Sequence, residues 1–200
     1  YRLLYKDHEN LKAHPLVSIA LPLAAVAFLG YLAYCAVKGP TPDPWGVLPV
    51  LNLAAPILLG WHYVGQSWGT VACFSFLSGF RMSPIARRLI RGGMLTLFVY
   101  HVAWAYDSTG FVQTVLADND AGKHLMESVM SLCRQCVFIG FICGLVGYWM
   151  MAKEHDRGIP VRVWLPWGAT FSWYVMVDFH PASFFLLQAF HAFQYMMFPI

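Results

Sequence analysis

Two uncharged stretches constrain this chain more than any other feature. Leu16–Val37 and the 34-residue tract Val47–Phe80 contain no Asp, Glu, Lys or Arg. A helix needs about 20 apolar residues to cross the ~30 Å hydrocarbon layer of a membrane. The first stretch therefore reads as a span, 16–37. The second, 47–80, is longer than one perpendicular span needs. Pro49 and Pro56 within it predict a kinked or tilted helix with an irregular start. Four more apolar runs follow, at 92–110, 125–152, 163–177 and 182–200. The predicted fold class is all-α: a single-domain, polytopic membrane helix bundle of six spans.

Composition excludes the main alternatives. Hydrophobic residues make up 58% and charged residues 12%, with a mean hydropathy of +0.54. A soluble domain typically has about 25% charged residues to cover its surface. Soluble enzymes, disordered chains and collagen-like chains are therefore excluded. A net charge of +3, with basic residues in short clusters between apolar runs, gives no basis for a nucleic-acid partner. The five cysteines all lie in apolar stretches, unlike a secreted disulfide framework. The first apolar run is too long for a cleavable signal peptide. The last run stops at Ile200 without a polar tail, which predicts that the natural chain continues.

Lys and Arg set the expected orientation. Ten of them lie before the first span or in the even-to-odd connections: Arg2, Lys6 and Lys12, then Arg81, Arg87, Arg88 and Arg91, then Lys153, Arg157 and Arg162. Only Lys38 and Lys123 fall on the other side. The positive-inside rule places the N-terminus in the cytoplasm, and six spans return the C-terminal end there. The expected address is a bacterial inner membrane.

Ionisable groups at membrane depth cost roughly 2.5–3.5 kcal/mol each on insertion scales, which makes them pointers to function. His62 lies near the middle of the second tract. His101, Arg134 and His191 each lie nine residues inside a run, or about 14 Å deep at 1.5 Å per residue. Four helices thus bring a His or Arg to one plane. Gln66 is at i+4 from His62, and Gln188, Gln194 and Tyr195 surround His191. Imidazole is the commonest transition-metal ligand. Three His from three helices can hold a metal and leave positions open for oxygen or substrate. Gln66, Gln194 and Tyr195 would orient those ligands or bind oxygen-derived species. Arg134 would anchor a polar substrate end or stabilise developing negative charge. A pair of His could instead clamp a haem.

The plainer readings run alongside. A lone membrane His is often a hydrogen-bonded packing residue. Arg134 suits a carboxylate, carbonyl or acidic ligand group better than a metal. Cys133-x-x-Cys136 lacks the second pair that a zinc or redox motif needs, so it reads as small-residue packing. Gly60, Gly65 and Gly69 would let a helix approach closely. Trp45, Trp149, Trp164 and Trp167 sit at span ends, as an interfacial belt requires. Asp107, Glu127, Asp178, His124 and His180 read as a solvated outer rim, or else as a proton route or second metal site.

Trp61-His62-Tyr63 and Phe190-His191-Ala-Phe-Gln-Tyr195 together resemble a known family, the bacterial and archaeal membrane β-carotene-cleaving dioxygenases that make retinal for rhodopsins. That family has several spans, an aromatic-flanked His in one and a His-rich box in a later one. Where its box has a second His at i+4, this chain has Tyr195. The resemblance covers about twenty residues and implies His ligation of non-haem iron.

The expected function is a membrane-embedded, His-ligated metal-dependent oxidoreductase or oxygenase acting on a lipophilic molecule. Iron or another transition metal would be held by His62, His101 and His191. The alternative is a non-enzymatic haem-, pigment- or quinone-holding subunit, or a scaffold, among other membrane subunits. A small transporter ranks below both, because no paired Gly/Pro-broken helices divide the chain into halves.

Overall fold

In the computed structural model, the residues described are 19–38, 47–108, 120–180 and 182–183. All regular structure among them is helical, with no strands. Five long helices follow one another: α1 (Leu21–Lys38), α2 (Val47–Leu77), α3 (Pro84–Ser108), α4 (Asp120–Glu154) and α5 (Val161–Phe179). They fall on the first five apolar runs. The sixth run, 182–200, lies outside the described residues except at its first two positions.

The chain divides into two compact units, Tyr1–Leu51 and Asn52–Ile200. The first carries α1, where Leu23, Val26 and Leu29 are exposed. The second holds the core. Its centre is α3 against α4, with α2 and α5 packed around them through Val64, Val71, Trp167, Phe171 and Tyr174.

Helix boundaries follow local chemistry. Pro49 falls in the first turn of α2, where a missing amide hydrogen leaves no bond unmade. Pro56 is accommodated inside α2, which is assigned as one helix throughout rather than one with an irregular start. α2 ends in a paired cap: the Phe80 amide donates to Ser75 carbonyl (2.8 Å) and the Gly79 amide to Phe76 carbonyl (3.0 Å). Gly79 adopts φ +70°, a conformation that only glycine takes freely. Ser83 then caps α3, its hydroxyl accepting from the Ala86 amide, and Pro84 supplies a first residue with φ already set.

α3 therefore starts eight residues before the apolar run at Gly92. Arg87, Arg88 and Arg91, expected in a loop, form the first two turns of a helix. The α4–α5 turn folds back over this corner. Arg157 donates to the Ser78 and Gly79 carbonyls (3.1 and 3.0 Å) and lies 4.2 Å over the Phe80 ring.

Glycines set the closest approach. A Cβ on Gly93 of α3 would run into the Gly140 carbonyl of α4, and one on Gly140 would meet Thr96. Gly144, one turn on, lies against the Trp167 indole of α5. Trp167 is thus a core residue rather than a member of an interfacial belt, stacked 5.0 Å from Phe141 and edge-on to Tyr148.

Among the described residues, only α4 is long and apolar enough to cross a membrane by length and composition together; its most apolar 18 residues have a mean hydropathy of 1.9, and 22% of them are buried. The expected six spans are thus matched in this respect by one. α3 gives up apolar length to its three arginines.

Candidate functional site

Two polar clusters lie side by side between α3, α4 and α5. In the first, α4 presents Arg134 to Asp178, next to the last residue of α5. Nε donates to Oδ2 at 2.9 Å and Nη2 to Oδ1 at 2.9 Å, a two-pronged ion pair. The Tyr100 hydroxyl of α3 donates to the same Oδ1 at 2.8 Å. The pair is only partly covered by protein, with side chains 53% and 30% exposed. An arginine does not shed its charge, so a carboxylate held in a fork is the arrangement that neutralises it.

The second cluster is buried. His101 of α3 is 1% exposed, and its Nδ1 shares a 3.1 Å hydrogen bond with the Tyr174 hydroxyl of α5. The Tyr63 ring of α2 meets the imidazole edge-on at 5.9 Å. Gly60 makes room on the same side, since a Cβ there would come within 2.8 Å of the His101 ring. Tyr100 and Tyr174 pack edge-on at 6.0 Å, which joins the two clusters.

A cavity of about 580 Å³ opens beside them. Its walls are aromatic and aliphatic, from Phe138 and Phe141 of α4 and from Phe171, Val175 and Phe179 of α5. Arg134, Asp178, Tyr100 and Tyr174 form its polar side. Phe138 (67% exposed) and Phe179 (76%) leave it open on the outer face of the bundle.

No protein-family model matches this chain, and comparison with curated proteins and with solved structures gives no match. The likeness to carotene-cleaving dioxygenases therefore rests on the quoted motifs alone.

Of the residues singled out in the sequence, His101 lies in the interior and Arg134 has its carboxylate partner. His62 is exposed, because α2 turns Gly60 and Tyr63, not His62, toward His101. At 100° per residue, positions 60 and 63 share a face and 62 lies nearly opposite 60. Gln66 is half-buried, and its carbonyl accepts from the Thr70 hydroxyl at 3.0 Å. His191, Gln188, Gln194 and Tyr195 lie outside the described residues. Among the described residues no three His, Cys, Asp or Glu side chains gather as a metal site.

Gly65 and Gly69 meet nothing within 4 Å, so of the three α2 glycines only Gly60 marks a contact. Cys133 is buried and, like Cys136, a free thiol. Asp178, placed in the rim by sequence, belongs to the Arg134 site. His124 and Glu127 do form an exposed pair at 3.4 Å.

Sequence reasoning missed Tyr100, Tyr174 and the Gly140-x-x-x-Gly144 pattern, and named Asp178 without joining it to Arg134. The glycine pattern was legible as a helix-packing motif. The tyrosines carried no signal among ten scattered along the chain.

Proposed function

We propose that this chain is an integral membrane helix bundle that holds a lipophilic molecule between α4 and α5, with the polar end of that molecule at Arg134, Asp178 and Tyr100. The carrying observation is the cavity itself: an aromatic chamber with one charged pair on its wall, in a protein whose helices expose large apolar side chains. Ligand sites are typically concave, mostly apolar and of roughly 300–1,000 Å³, with a few placed polar groups. The six-span topology with cytoplasmic ends, and a place in a bacterial inner membrane, belong to the same proposal and rest on the Lys and Arg asymmetry.

Photolabelling of the detergent-purified chain with a diazirine-bearing long-chain probe tests this reading. Label concentrated in 134–141 and 171–179, and competed by excess unlabelled probe, is the expected result. Label spread evenly over all apolar helix faces would remove the cavity reading.

A metal-dependent oxidoreductase or oxygenase is the second reading. It is favoured by the buried His101, one hydrogen bond from Tyr174 on the cavity wall. Iron or another transition metal would then be held by His101 with His191 as partner ligand, while His62, expected as a third ligand, is exposed and turned away from His101. Elemental analysis of protein from metal-supplied cells should find stoichiometric metal, largely lost in His101→Ala. Protein with neither metal nor haem would leave only the holding function.

A further inference from the structure

We propose that the cavity selects a molecule whose polar end is a neutral carbonyl, such as a long-chain quinone, and discriminates against a fatty-acid carboxylate. The inference rests on the cavity reading above and adds the chemistry of the head group.

The reasoning starts from charge balance at the cavity wall. An unpaired arginine in an apolar chamber would favour an anionic head. Here Arg134 is already neutralised, since Nε and Nη2 both engage the Asp178 carboxylate. Tyr100 adds a third donor to that carboxylate, which fixes it in its charged form and in one orientation. A second carboxylate entering the chamber would meet no net positive charge and would lie beside Asp178. Like charges in a low-dielectric site repel strongly, and the incoming anion would also lose its hydration.

A neutral carbonyl meets neither obstacle. Guanidinium has five N–H donors, and the fork to Asp178 uses two of them. A carbonyl oxygen needs one donor and brings no charge to be desolvated. The walls favour a planar body for the same molecule. Phe138, Phe141, Phe171 and Phe179 offer ring faces and edges to a conjugated ring or chain.

The test is competition for the photoprobe on the full-length purified chain. A long-chain benzoquinone and a fatty acid of matched length serve as competitors at pH 8. On the native protein the quinone should displace the probe at a concentration at least tenfold lower. Asp178→Asn leaves Arg134 uncompensated, so the preference should reverse toward the fatty acid. Arg134→Gln with Asp178→Asn removes both charges together and leaves no orphan ion, so this variant keeps the test available if the single one does not fold. It should still take up the probe but separate the two heads less than the native protein does, because only the lost hydration of the anion then counts against it.

Preference of the native protein for the fatty acid would overturn the inference, as would a double variant that discriminates as before. Native protein that is labelled in the cavity but blind to the head group would also overturn it, while leaving the cavity reading intact. Absence of cavity labelling would remove both.

Discussion

Arg134 and Asp178 stabilise the bundle only as a pair. Removing one leaves the other without its counter-ion, whereas removing both leaves an apolar surface. Arg134→Leu should therefore destabilise the detergent-solubilised protein by about 1 kcal/mol, the scale of a partly exposed ion pair whose carboxylate keeps its bond from Tyr100. Arg134→Leu/Asp178→Leu should recover much of that loss. Thermal unfolding of the single and double variants, with Arg81→Leu as a surface reference, measures it; a double variant worse than either single would contradict the pairing. His101 poses a related test. Tyr174→Phe removes the bond at Nδ1, for about 0.5–1.5 kcal/mol, the net worth of one hydrogen bond. Tyr100→Phe leaves Asp178 still held by Arg134, so it should lose less, and melting temperatures of the two would rank them. The sequence marked His101 and Arg134 because a charge or imidazole in an apolar run is conspicuous. It did not mark Tyr174 or Tyr100, because a tyrosine in such a run is ordinary.

Helix contacts depend on a few glycines whose neighbours leave no room for a methyl group. Gly93→Ala and Gly140→Ala force α3 and α4 apart, because the obstacles are a backbone carbonyl and the base of a side chain rather than a flexible tip. Each substitution should cost about 1–3 kcal/mol, the usual scale of overpacking. Gly65→Ala meets nothing and should be neutral or stabilising by up to ~1 kcal/mol, from helix propensity alone. Denaturation series of the three variants separate packing from propensity; equal losses would show that the crossing is looser than described. At the other end of the bundle, Arg157→Ala removes the donor to the Ser78 and Gly79 carbonyls and the cation over Phe80. Faster limited proteolysis at 78–82 is the expected consequence. The apolar runs located five helices to within a few residues, except at the start of α3. There Ser83-Pro84, a cap signal, outweighed the arginines that had pointed to a loop.

For the molecule as a whole, topology is the property to measure. Under the proposed topology, cysteines introduced at Asp43 and Asp120 should react with membrane-impermeant reagent from outside intact cells, since the positive-inside rule assigns the ten basic flanking residues to the opposite side. Reaction of both only after the cytoplasm is opened would invert the arrangement. Sequence alone determined the helical class and the run boundaries, because the lack of charge over long stretches leaves few ways to satisfy a backbone. It also determined how far along its helix each polar group lies, which follows from 1.5 Å per residue. Depth does not fix azimuth, and helical rotation is set by packing. His62 and His101 were expected at one depth, yet Gly60 and Tyr63 turn toward His101 while His62 faces outward. Only the tertiary structure decided this, because the fit of Gly60 against an imidazole ring depends on two helices at once. The same holds for Asp178, placed by sequence at a helix end and joined to Arg134 only by the packing of α5 against α4.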